Sequence, residues 1–154
     1  MPSIAELLRA YLSRFTVRME FADDAEVAHW FTPRPGVVSS FVVEAQGVVD
    51  AFASYYQVST SVLNHATHKT LHVAYSFYNV PSESVPMETL LRNLLIEAKN
   101  ADGQDVFNAL EVMDNTPCFS RLKFGVGDGV LNYFLYNWSA GESVPPAEVG
   151  MVLV

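Results

Sequence analysis

Ile4, Leu7, Leu8, Tyr11 and Leu12 recur at the spacing of one helical face, which predicts a helix from Ile4 to about Ser13. Ser3 and Glu6 stand where a capping box would open it. Phe15 to Phe21 alternates like a short strand. Asp23 or Asp24 then starts a second helix through Trp30, and Pro33-Arg34-Pro35-Gly36 ends it. Ser39–Glu44 and Val48–Ser59 are rich in strand formers and flank Gln46-Gly47, which predicts a hairpin. Leu71–Val80 reads as a further strand. The strongest helix runs from Pro86 to about Ala101, with Leu90, Leu91, Leu94, Leu95 and Ala98 on one broad apolar face and Gly103 beyond its end. Asp105–Leu110 is a compact strand, Met113–Leu122 a short helix, and Val130–Trp138 an aromatic-rich strand. After the polar connector Ser139–Pro146 the chain closes on Glu148–Val154, apolar where free termini usually fray. This predicts a last strand or a tail tucked into the body.

That order of elements indicates an α/β or α+β layer around one mixed sheet flanked by helices, in a single domain over residues 1–154. The long helix would carry a parallel crossover from Leu71–Val80 to Asp105–Leu110. Lys123-Phe124-Gly125-Val126-Gly127-Asp128-Gly129 holds three glycines in five residues, as though its backbone needed angles or approaches that side chains forbid. It resembles a phosphate cradle only in composition. Such a cradle follows a strand and opens a helix, whereas here a helix precedes and a strand follows. A tight turn and a pocket wall remain, the second with Asp128 facing a cation.

Half of the residues are hydrophobic, enough for a packed core, and the low charge content does not suit a disordered chain. Nine basic against 17 acidic residues give a net charge of −8, which argues against nucleic acid and anionic membranes as partners. Cys118 is a lone cysteine, so no internal disulfide forms and a reducing, cytoplasmic setting is expected. No apolar run is long enough for a transmembrane segment. His65, His68 and His72 raise the question of zinc, but their spacing suits a helix while His72 falls in a predicted strand, and no cysteine or carboxylate lies near in sequence. No metal is expected.

The glycine stretch resembles the Lys-Phe-Gly-x-Gly-Asp-Gly signature near the C-terminus of eukaryotic glycylpeptide N-myristoyltransferases. Ala28-His29-Trp30-Phe31, Ala74-Tyr75-Ser76-Phe77-Tyr78-Asn79-Val80, Asp105-Val106-Phe107-Asn108-Ala109-Leu110 and Tyr136-Asn137-Trp138 resemble that family too. The likeness runs from about Leu12 to Val154 and covers only the family's C-terminal half. The other signature, Glu-(Ile/Val)-Asn-Phe-Leu-Cys-x-His-Lys, is not in this sequence.

The resemblance implies a fold similar to Gcn5-related N-acetyltransferases and a half that holds the peptide. It implies transfer of myristate from myristoyl-CoA, a co-substrate held mainly by the N-terminal half, to an N-terminal glycine, with no cofactor bound here. The carboxylate of Val154 would be the general base. Peptide contacts would fall to Thr60, Tyr75, Val106, Asn108, Asp128, Gly129 and Leu131. Thr60 stands where a serine is common, and Val130 where an asparagine often is. Each also has a plainer reading: Tyr75, Val106 and Leu131 as strand core, Asn108 as a strand-end cap, Asp128 as a turn cap. Expected partners are glycine-terminated peptides and the N-terminal half, or self-association in its place. A peptide-binding module without catalysis, and a small self-sufficient acyl-CoA N-acyltransferase, are the alternatives.

Overall fold

The computed structural model describes residues 2–139 and 141–153. Helix α1 (Pro2–Leu12) starts one residue before Ser3, which lies inside the helix rather than capping it. The expected strand at Phe15–Phe21 reduces to β1 (Val17–Arg18). Helix α2 (Asp24–Phe31) is capped by Asp23, whose carboxylate accepts the Glu26 amide at 2.8 Å, while Glu26 accepts the Ala22 amide. The hairpin forms as expected from β2 (Val38–Ala45) and β3 (Val48–Ser61). Both turn residues are left-handed, Gln46 at φ 53° and Gly47 at φ 79°, the twist that a two-residue hairpin loop requires.

Strand β4 (Thr70–Val80) pairs antiparallel with β3, and helix α3 (Met87–Asn100) carries the chain over to β5 (Val106–Asn108), which lies parallel to β4. The crossover is the one the sequence predicts. The sheet order is β2-β3-β4-β5. Helix α4 is a single turn, Thr116–Phe119. The predicted Met113–Leu122 helix cannot form in full, because Met113 sits at φ 55°, outside helical space. After a 3₁₀ turn at Pro146–Glu148, β6 (Val149–Gly150) lies parallel to β1 as a second, two-stranded sheet. The apolar tail is therefore tucked in through Val152, as expected, while Leu153 is exposed.

Val130–Trp138 is not a strand. A strand persists by pairing its N–H and C=O groups with a neighbour, and no partner strand meets this stretch among the described residues. Most of its apolar side chains are left outside, Phe134 and Tyr136 being 88% and 92% exposed, while Tyr133 packs against the core.

The two faces of the sheet follow from register. Tyr55, Gln57, Ala74 and Phe107 share the face under α3, where the Tyr55 hydroxyl, the Gln57 amide and the Ser39 hydroxyl all converge on Asp102, just past that helix. Tyr56, Val58 and Thr60 of β3 pair with Tyr75, Val73 and Leu71 of β4, and Val73 and Tyr75 pair in turn with Val106 and Asn108 of β5. These residues share the opposite face, whose other end carries Phe77 against Trp30 of α2.

Candidate functional site

Pairing between β3 and β4 slips where Ala53↔Asn79 gives way to Tyr55↔Ser76, so Ser54 faces both Phe77 and Tyr78. The extra residue on β4 makes a bulge, a device that re-aims side chains. Buried polar groups stitch it: Ser54 Oγ donates to the Tyr78 carbonyl at 2.9 Å and accepts the Tyr78 amide at 3.1 Å, and Asn79 donates to Ser76 Oγ at 2.7 Å. The bulge sends the Tyr78 ring into the core edge-on to Phe21 and Phe31.

The Tyr78 hydroxyl then meets the C-terminal tail, accepting the Val152 amide at 3.1 Å and lying 3.5 Å from the Val152 carbonyl. A second tyrosine, Tyr133, donates to the Met151 carbonyl at 3.3 Å. Burial pushes the Tyr78 hydroxyl up to about 12, partly offset by its bond to Val152. Burial also raises Tyr133. Tyr56 rises by burial and then by the nearness of Tyr75 and Tyr133. Tyr56 and Tyr75 stack with centroids 5.1 Å apart and planes 9° off parallel. Four tyrosines thus gather where the sheet face meets the tail, and the raised ones are neutral donors at physiological pH.

Of the residues that the sequence singles out, Thr60, Tyr75, Val106 and Asn108 come together on this face, with Tyr75 half-buried and the other three exposed. Val106 and Asn108 also line a cavity of about 400 Å³ with Leu122, Phe124, Gly125 and Gly127. Asp128, Gly129 and Leu131 follow in the same loop but lie outside that lining and are exposed. The Asp128 carboxylate caps no turn among the described residues. Val154, the expected source of the base, lies outside the described residues.

The glycines require a correction. None of Gly125, Gly127 and Gly129 has a positive φ, and a Cβ placed on any of them would meet nothing within 4 Å. No neighbour among the described residues demands glycine there. The crowded glycine is Gly150, where an added Cβ would sit 2.6 Å from Phe15 Cδ2.

The histidines behave separately. His65 Nδ1 accepts the His68 amide at 3.0 Å within its loop, whereas His72 is on β4 with its ring 3.3 Å from Ser59 Oγ. Cys118 is buried, and burial raises its thiol, which keeps it protonated and inert. Sequence reasoning missed Tyr56, Tyr78 and Tyr133. The available signal was a tyrosine, not a phenylalanine, in strongly apolar runs, since a buried phenol needs a partner for its hydroxyl.

Residues 1–152 match the family model described as Myristoyl-CoA:protein N-myristoyltransferase, C-terminal domain. The chain belongs to that family. It is 44% identical over 150 residues to a glycylpeptide N-tetradecanoyltransferase of Drosophila melanogaster, covering 97% of this chain and 31% of that protein. To the Arabidopsis thaliana glycylpeptide N-tetradecanoyltransferase 1 it is 43% identical over 155 residues, covering 99% of this chain and 35% of the relative. It thus spans about a third of the length of these relatives. A Saccharomyces cerevisiae N-myristoyltransferase crystallised with myristoyl-CoA superposes with a TM-score of 0.78 at 30% identity, covering 99% of this chain and 42% of that one. A Brucella melitensis ribosomal-protein-alanine N-acetyltransferase shares the fold alone, with a TM-score of 0.62 at 15% identity over 88% of this chain and 91% of its own. The N-myristoyltransferase family and the acetyltransferase-like α/β fold are those that the sequence indicates.

Proposed function

We propose that this domain is the peptide-holding part of an N-myristoyltransferase that works in the cytoplasm on proteins beginning with glycine. The observation that carries the reading is the pair of tyrosines bonded to the backbone of Met151 and Val152 beside the exposed face of Thr60, Tyr75, Val106 and Asn108. Those contacts fix the tail at Met151 and Val152, and we assign the general base to the α-carboxylate of Val154. A base must lie within hydrogen-bond reach of the proton that it takes.

In this reading the carboxylate removes a proton from the glycine ammonium. The freed amine attacks the thioester carbonyl of myristoyl-CoA, the C–S bond breaks, and coenzyme A leaves as its thiol with the second amine proton. The glycine loop, with Asp128, Gly129 and Leu131, closes over the peptide backbone. Open space at the Cβ positions of Gly125, Gly127 and Gly129 supports this, because the room is there for a ligand. Myristoyl-CoA and the donors that steady the oxyanion belong to the N-terminal half.

The test is a chimera in which this chain replaces the corresponding domain of the Drosophila relative, assayed for myristate transfer to a glycine-terminated peptide. Activity is expected in the chimera. The chain alone should fall short by at least about two to three orders of magnitude, the worth of oxyanion donors. Residues appended after Val154 should abolish turnover; undiminished turnover would refute the carboxylate as base.

A further inference from the structure

The net charge of −8 hides a local reversal. Between α3 and the turn after α4 runs an open groove of about 330 Å³, and four of the chain's nine basic residues line it. Arg92 and Lys99 stand on the α3 wall, Arg121 and Lys123 on the other, and Ile96 and Leu122 form an apolar floor. The carboxylate of Glu88 ties the walls together, taking Arg92 at 2.7 Å and Arg121 at 3.1 Å. The Arg121 hydrogen bond foremost holds Glu88 below the usual carboxylate range, so the tie is charged at neutral pH. One carboxylate cannot neutralise four cations. Lys99 and Lys123 form no ion pair among the described residues.

We propose that this groove docks an acidic segment of a partner polypeptide, carboxylates on both walls and an aliphatic side chain on the floor between them. Arg92 and Lys99 are two helical turns apart, about 10 Å along α3. That separation matches about three residues of an extended chain, so the cations are spread for several carboxylates rather than gathered for one phosphate. An anionic bilayer fits less well. Its charges lie in a plane, whereas these cations face each other across a trough, and the rest of the chain is acidic and repels such a surface. The Glu88 tie presets both guanidinium groups, lowering the ordering cost of binding. The groove borders the cavity beside Val106 and Asn108, sharing Leu95, Leu122 and Lys123 with it, but none of the residues assigned to peptide contact lines it.

The experiment titrates the full chain into a fluorescein-labelled peptide of alternating glutamate and leucine, followed by anisotropy. Saturable binding that weakens as salt rises is expected. Lys99→Glu with Lys123→Glu should weaken it by about tenfold or more, since each exposed ion pair is worth up to about fivefold. Thermal unfolding of that variant should shift by only the small dipole effect of a reversed charge in the last turn of α3, because both lysines are exposed and carry no ion pair among the described residues. A lysine–leucine peptide should not bind. Undiminished binding to the double variant overturns the proposal. So does equal binding of an all-glutamate peptide, which would make the floor irrelevant, or binding to phosphatidylserine vesicles in place of the peptide.

Discussion

The hydroxyl of Tyr78 accepts the amide of Val152 at 3.1 Å across 74 residues of sequence. Both groups are buried, so the bond has no ready substitute in water. Tyr78→Phe keeps the ring against Phe21 and Phe31 but leaves the Val152 amide without its acceptor. A buried donor left unpaired costs about 1–3 kcal/mol. Urea denaturation should show a loss of that size, and hydrogen exchange at the Val152 amide should accelerate more than exchange in β3. An unchanged Val152 exchange rate would mean that the tail is held by packing alone.

The same hydroxyl sets an alkaline limit. Its folded value, pushed up to about 12 by burial, exceeds the ordinary value near 10. Between those values the unfolded chain has released this proton while the folded chain keeps it. The stability is therefore fully present below pH of about 10 and is lost as pH rises through about 12. The loss is on the order of 3 kcal/mol. Stability measured against pH should fall across that window, and Tyr78→Phe should flatten the fall. Burial also raises Tyr11, so part of the slope will remain in the variant.

Glycine positions should divide by crowding. Gly150→Ala drives a methyl into Phe15, whose ring is held edge-on by Tyr11 at 5.3 Å, so overpacking should cost about 1–3 kcal/mol. Gly127→Ala meets nothing in the fold and should change stability by less than about 0.5 kcal/mol. It should nonetheless weaken peptide binding in the chimera, because the added methyl occupies space reserved for the ligand. Calorimetry of both variants with a peptide titration of Gly127→Ala checks the division.

Why the site was half legible follows from what sequence patterns encode. Alternation and helical spacing report burial against the chain itself, and they placed α2, the β2–β3 hairpin, β4, α3 and β5 correctly. Once β3, β4 and β5 are paired, register alone brings Thr60, Tyr75, Val106 and Asn108 to one face. Val130–Trp138 has the same alternation, but its partner is not supplied by the described residues, so the pattern overstates local structure. Glycine content misled in the opposite sense. Composition pointed to Gly125, Gly127 and Gly129 as the strained positions, whereas the crowded one is Gly150, whose neighbour Phe15 is remote in sequence. The Tyr78 contact with the tail depends on a one-residue bulge at Phe77–Tyr78 that no periodicity predicts.

Asp102 makes the last prediction. One of its oxygens accepts Ser39 Oγ at 2.6 Å, Tyr55 Oη at 2.6 Å and Gln57 Nε2 at 2.9 Å, joining β2 and β3 to the end of α3. Ser39 and Gln57 retain each other at 3.1 Å if the carboxylate is removed, whereas the fully buried Tyr55 exchanges a charged acceptor for the neutral Ser39 hydroxyl beside it. Asp102→Ala should therefore cost about 1–3 kcal/mol, mostly through the loss of the phenol's charged acceptor. Removing that phenol first should remove most of the penalty. In a double-mutant cycle, Asp102→Ala in a Tyr55→Phe background should cost at least about 0.5 kcal/mol less than in the parent. Equal costs in the two backgrounds would show that Asp102 acts through Ser39 and Gln57, and that the phenol contributes only its ring to the packing beneath α3.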